Sequence, residues 1–158
     1  MGDSLATYLQ DHLAGSVQAI ELLEMIRDRN SGKPLAQFAT DLLVEIKEDR
    51  EALLALARKV GSGSSSMKEM AAWAGEKFAR LKMRQGKTAF GVFEALEYLE
   101  VGIHGKWAMW RVLAALAPTD ARLEGTDFDR LAGRAENQHA RIDEVRLGVA
   151  HDALRPAA

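Results

Sequence analysis

Two carboxylates and one imidazole follow one another at helical spacing in the second half of the chain. Glu97, Glu100 and His104 are separated by three and four residues within a mostly apolar stretch, which places them on one face of an α-helix. Carboxylate and imidazole groups bind transition metals and also exchange protons. This face therefore predicts either a metal or proton-transfer site inside a helical bundle or the polar edge of a packed helix.

Further polar residues interrupt the apolar seams of the other predicted helices. Glu136 and His139 form a Glu-x-x-His pair, whose spacing points both side chains the same way. Counting from the predicted turns places His104 opposite His139, and His12 close to Asp49. A buried polar group without a partner costs about 1–3 kcal/mol. We therefore interpret His12 and Asp49 as a buried hydrogen-bonded pair that sets helix register, in preference to a metal site.

The elements that must position these residues are helices. Apolar residues recur every three or four positions, Pro34 suits the first turn of a helix, and a Gly/Ser-rich linker begins at Gly61. The predicted helices cover residues 4–29, 35–60, 67–83, 88–117 and 127–152. Because short breaks return a helix antiparallel to its predecessor, the expected fold is all-α, with two antiparallel hairpins joined by a short crossover helix.

Composition excludes several functional classes. With 158 residues, 47% of them hydrophobic, the chain is expected to form one domain over residues 1–158. It has no cysteine, which excludes disulfides, thiolate zinc sites and cysteine nucleophiles. A net charge of -2 gives no reason to expect nucleic acid, and no apolar run is long enough to cross a membrane. We expect a cytoplasmic protein.

At this level of organisation the chain resembles the ferritin-like superfamily, over roughly residues 4–152. The di-iron members of that superfamily take a Glu from each of two helices and a Glu-x-x-His from each of the other two. Glu136 and His139 match one Glu-x-x-His motif, and Glu97 or Glu100 matches the single Glu of a neighbouring helix. The resemblance thus implies a four-helix bundle with a carboxylate and histidine site in its centre.

The other half of the chain departs from this pattern. Asp49 has Ala52 where the His of a second Glu-x-x-His would lie, and the first helix has Ser16 and Ala19 where a Glu would be wanted. A mononuclear site would need fewer ligands, and two imidazoles with a carboxylate suit iron, zinc or manganese. Its candidate ligands are His104, His139 and Glu100, with His12 or Asp49.

Three functional hypotheses follow. The first is a metal-free structural or interaction module that forms a homodimer. The second is a metal-dependent oxidoreductase, or a protein that handles oxygen or peroxide. The third is a small-molecule binder with a pocket beside Gly102 and Gly105, lined by Trp107, Met109 or Tyr98. The sequence indicates no catalytic residue and no identity for a ligand, so whether the protein is an enzyme stays open.

Overall fold

The computed structural model describes residues 3–61 and 88–156. Within these ranges the chain is all-α, with four α-helices and no β-strand. The helices are α1 (Ser4–Arg29), α2 (Pro34–Val60), α3 (Ala89–Leu116) and α4 (Phe128–Leu154), with a short 3-10 helix (Ala121–Leu123) before α4. Each α-helix begins and ends within two residues of its expected bounds. The crossover helix predicted over residues 67–83 lies outside the described residues.

Local chemistry explains where the helices start. The carboxylates of Asp3 and Asp127 and the hydroxyl of Thr88 accept hydrogen bonds from backbone amides of the first turns of α1, α4 and α3. Pro34 occupies the first turn of α2, where its missing N–H has no intrahelical acceptor in any case. Gly32, in the preceding turn, has a φ of 79°, a conformation that glycine adopts without strain.

Two apolar clusters form the core. In the described residues α1 packs mainly against α2 and α3 mainly against α4, while α1 also contacts α3. The first cluster joins the beginning of α1 to the end of α2, the end of α3 and the beginning of α4; it includes Leu9, Leu13, Leu53, Leu56, Trp110, Leu113 and Leu131. The second cluster joins the remaining halves of the four helices; it includes Leu22, Leu23, Leu42, Ile46, Leu96, Ile103 and Ile142.

A layer of polar and small residues separates the two clusters at mid-height. Between the last buried member of one cluster and the first of the other, α1 has Gly15 and Ser16, and α2 has Asp49. In the corresponding interval α3 has Lys106 and α4 has Gln138. None of the described helices is apolar over enough of its length to cross a membrane.

Candidate ligand-binding cavity

Asp49 lies at the centre of the polar layer and is only 2% exposed. Its Oδ1 accepts a hydrogen bond of 2.8 Å from Nε of Arg134 on α4. Its Oδ2 forms an ion pair with Nζ of Lys106 on α3 and accepts a hydrogen bond of 3.1 Å from Nε2 of Gln138. The polar residue that interrupts the apolar seam of α2 is therefore a buried carboxylate with two cationic partners.

Gln138 extends this network from α4 to α2. Its side chain is completely buried, its carbonyl oxygen lies 2.5 Å from Nζ of Lys106, and its amide donates a hydrogen bond of 3.0 Å to Glu45. Glu45 also accepts hydrogen bonds of 2.6 and 2.7 Å from Arg141. Burial lowers the pKa of Lys106, and the charge of Asp49 opposes this shift. Long polar side chains thus connect α2 to α4.

Lys106, Arg134 and Gln138 are not among the residues predicted from the sequence, although the helical periodicity contains one signal for Lys106. In α3 the buried residues Leu99, Ile103 and Trp110 leave one seam position between 103 and 110, and Lys106 occupies it at the helical spacing. In α4 the seam was assigned through His139, whereas the fully buried residue at that level is its neighbour Gln138. The rotation of α4 about its own axis decides whether Gln138 or His139 enters the core.

The predicted hydrogen bond between His12 and Asp49 is wrong. Both oxygens of Asp49 bind the Lys106, Arg134 and Gln138 side chains, whereas the His12 imidazole packs edge-on against Tyr8, with 4.8 Å between ring centroids. Burial lowers the pKa of His12, so its ring is uncharged at neutral pH. A neutral imidazole attracts a buried carboxylate less than two cations do.

The structure does bring His104 and His139 together, with 5.5 Å between their ring centroids. Nε2 of His139 lies 2.6 Å from a carboxylate oxygen of Glu100. However, these residues lie at the outer edge of the α3 and α4 pair, since His104 is exposed and the His139 side chain is 31% exposed. The expected interior location of this cluster is therefore wrong, because α4 turns Gln138 rather than His139 inward.

The remaining candidate ligands lie elsewhere. Glu97 accepts a hydrogen bond of 2.9 Å from Arg146, and Glu136 is exposed to solvent. Within residues 3–61 and 88–156, no three His, Asp or Glu side chains are grouped so that they could hold a metal ion. The seven residues proposed as ligands are thus divided among the buried network, the cavity described below and the surface of α3 and α4.

A cavity of about 330 Å³ lies among α1, α2 and α3, beside the polar layer. Its apolar lining includes Ala19, Ile46, Leu53, Leu99, Ile103 and Met109. The exposed residues Tyr98 and Val101 also line it, so the cavity reaches the protein surface on the α3 side. The Tyr98 hydroxyl donates a hydrogen bond to Gln18, which connects α3 to α1 there.

Three helical glycines lie in the cavity wall, and two of them, Gly15 and Gly102, are exposed to solvent. Gly15, Gly102 and Gly105 line the cavity, and a Cβ atom added to any of them would have no heavy atom of a neighbouring element within 4 Å. Glycine inside a helix costs about 1 kcal/mol relative to alanine, and close approach of another helix is a common reason for it. Close approach does not apply here, because nothing packs against these positions.

The cavity agrees in part with the pocket expected from the sequence. Gly102, Gly105, Tyr98 and Met109 all line it, as that hypothesis required. Trp107 does not line it: its ring lies 5.1 Å from that of His104, on the other side of α3. The tryptophan of the cavity wall is instead Trp110, three residues further along the same helix.

Three side chains that line the cavity have a buried polar atom without a hydrogen-bond partner. In the part of the chain that the structure describes, these atoms are Nε1 of Trp110, Nε of Arg50 and Oδ1 of Asp11. Trp110 is completely buried, so solvent at the protein surface does not reach its indole N–H. Each such atom costs about 1–3 kcal/mol, and because none of the three has accessible surface, a molecule in the cavity would contact it only if side chains moved.

Fold and site together define an all-α protein in which three of the four described helices line a mostly apolar cavity beside a buried ionic network. Comparison of the sequence with protein-family models and with characterised proteins, and of the fold with solved structures, found no match. The chemistry of the cavity therefore has to be derived from its own residues.

Proposed function

We propose that this protein is a small-molecule-binding module and that the cavity among α1, α2 and α3 is its binding site. The observation that carries the proposal is a cavity of about 330 Å³ whose lining is mostly apolar and also includes the side chains of Arg50 and Lys106. Ligand sites are typically concave, mostly apolar and about 300–1,000 Å³ in volume, with a few polar groups that orient the ligand. The cavity has each of these properties.

The three glycines of the cavity wall are positions at which the proposal can be tested. Gly102 and Gly105 lie one turn apart on α3, and Gly15 lies on α1. Larger residues at these positions would favour the helices and would extend into space that no other part of the protein occupies. A small side chain at these positions therefore alters the cavity wall without a clash with a neighbouring element.

The proposed role requires no metal ion. Asp49, which was expected to be a ligand, is bound by Lys106 and Arg134, and Glu97 is bound by Arg146. Carboxylates that already have cationic partners would have to lose them to coordinate a metal, which makes them weak ligands.

We also propose that the helices have a ferritin-like arrangement, which provides the scaffold of the binding site. In the first core cluster the beginning of α1 packs with the end of α2, and the end of α3 packs with the beginning of α4. In the second cluster the opposite ends of the same helices pack together. That pattern is the one expected of two antiparallel hairpins, α1 with α2 and α3 with α4. In ferritin-like bundles the centre holds the functional site, and here we place the binding cavity at the same height.

The test is a thermal-shift screen of one-ring and two-ring compounds against the protein and two variants. Gly102→Leu adds a side chain at a helical glycine that lines the cavity, whereas the matched control Gly133→Leu changes a helical glycine of α4 that does not line it. A ligand that binds only the folded state raises the midpoint temperature. We expect compounds that stabilise the wild type and Gly133→Leu but not Gly102→Leu. A screen without such compounds, or with equal shifts in all three proteins, would refute the proposal.

A further inference from the structure

Large apolar side chains of α3 point away from the core along almost the whole helix. Phe90, Val101 and Val112 follow one another at intervals of eleven residues, close to three helical turns, so they lie on one face. Tyr98 and Leu116 lie one turn from Val101 and Val112. All five side chains are between 40% and 67% exposed. Single exposed apolar residues are ordinary on a protein surface, but a set aligned in this way is typical of an interaction site.

The exposed charges of α3 are divided between its two halves. The acidic residues of the helix all precede residue 101, and two of them, Glu94 and Glu97, lie on or beside the apolar face. The second half contains two cations, of which Lys106 is turned inward to Asp49 and Arg111 is exposed. The first half of this surface is therefore acidic and the second half is basic.

A second copy of α3 fits both features if it runs antiparallel to the first. A two-fold axis brings the same face of both copies together. If the ends of the two faces are aligned, Phe90 of each copy faces Leu116 of the other, and position 94 faces position 112. Glu97 then comes within two residues, about 3 Å along the helix, of facing Arg111 of the other copy. A parallel pair would instead place like charges opposite each other, which costs free energy.

We infer that two copies of this chain form a dimer through an antiparallel contact between their α3 helices. The inference goes beyond the proposed function and does not depend on whether the cavity binds a molecule. The apolar face is about 39 Å long and about 10 Å wide, which is less than the roughly 800 Å² that each partner of a stable complex buries. The dimer should therefore dissociate on dilution, with a Kd of about 1–100 µM.

Sedimentation velocity of the full chain, at concentrations from about 1 µM to about 1 mM, measures this equilibrium. We expect the average mass to rise from that of one chain towards that of two chains as the concentration increases. A protein that stays monomeric up to the highest concentration would overturn the inference. Assembly beyond two copies would overturn it as well, because an interface with two-fold symmetry closes at the dimer.

Two substitutions at one position test the direction of the contact. Val112→Glu adds a carboxylate opposite the acidic half of the other copy, whereas Val112→Lys adds a cation there. We expect Val112→Glu to raise the Kd about tenfold or more and Val112→Lys to dimerise at least about tenfold more tightly than Val112→Glu, which corresponds to 1.4 kcal/mol. Val44→Glu is the matched control, because Val44 is an equally exposed valine on α2, and it should leave the Kd unchanged.

Each result separates one part of the inference from the others. Equal weakening by Val112→Glu and Val112→Lys would overturn the antiparallel arrangement, and no weakening by either would overturn the α3 contact itself. A monomeric wild type whose free energy of unfolding falls in Val112→Glu but not in Val44→Glu would refute the dimer and assign the face to another part of the same chain. Neither position lines the cavity, so these results leave the test of the proposed function unaffected.

Discussion

Asp49 on α2 and Arg134 on α4 are joined by a hydrogen bond of 2.8 Å between Oδ1 and Nε. Lys106 of α3 binds the other oxygen of the same carboxylate. One buried acidic residue therefore connects three helices in the polar layer between the two apolar clusters. Its ion pairs stabilise that layer beside the cavity.

Removal of this carboxylate should destabilise the protein strongly. Asp49→Ala leaves two cations near each other in a largely buried environment, since the Lys106 and Arg134 side chains are only 15% and 22% exposed. Loss of one partner from a buried ion pair costs about 3–5 kcal/mol. Urea denaturation should show a loss of this size in the free energy of unfolding. Glu48→Ala removes an exposed partner of Arg134 and should cost less than about 1 kcal/mol; equal losses in both variants would contradict this account.

His12 should make stability depend on pH. Its folded-state pKa is lowered by burial, which outweighs the opposing charge of Asp11, so the unfolded chain binds the proton more readily. Below the pKa of His12 in the folded state, the free energy of unfolding is reduced by the full cost of burying the charged ring. Above the pKa in the unfolded state, which is about 6.5, this cost is absent. The free energy of unfolding should therefore rise with pH through this window.

The measurement is urea denaturation at several pH values, with a His12→Gln variant. We expect that variant to show a smaller rise over the same window. His151→Gln is the control, because the His151 side chain at the end of α4 is 80% exposed. A pH dependence that is unchanged in His12→Gln would show that burial does not lower the pKa of this residue.

Gly102→Ala should stabilise the protein while it weakens binding. The added methyl group meets no atom of a neighbouring element within 4 Å, so the helix should gain about 0.5–1 kcal/mol. Gly133→Ala should give a similar gain in the free energy of unfolding, since its surroundings are equally open. Calorimetric titration with a compound that the thermal-shift screen selects should show weaker binding for Gly102→Ala alone. A loss of stability in Gly102→Ala would mean that the glycine serves the packing of the helix instead.

Metal binding should be substoichiometric. We expect incubation with Fe(II), Mn(II) or Zn(II), followed by desalting and elemental analysis, to leave well below one ion per chain, because the candidate carboxylates have cationic partners or lie apart. One tightly bound ion per chain, lost in His139→Ala but retained in His151→Ala, would instead support the metal-dependent oxidoreductase hypothesis. The homodimer expected from the sequence also stays a prediction, which light scattering of the purified chain would test.

The helices and their starts could be predicted from the sequence because their determinants are local. Asp3, Pro34 and Thr88 act within one turn, and the apolar repeat follows from helical pitch. The same reasoning placed Asp49 on a buried seam and His104 opposite His139, since the distance from a short turn determines the height of a residue along a hairpin.

Only the tertiary structure decided which residues at that height meet. The approach and rotation of separate helices bring Lys106 and Arg134 to Asp49, turn Gln138 inward in place of His139, and leave open space beside Gly102. A rotation of about 100° separates neighbouring residues on a helix, so a small difference in packing exchanges a buried side chain for a surface one. Periodicity in one segment does not contain that information, because it depends on the shapes and charges of residues that are far apart in the chain.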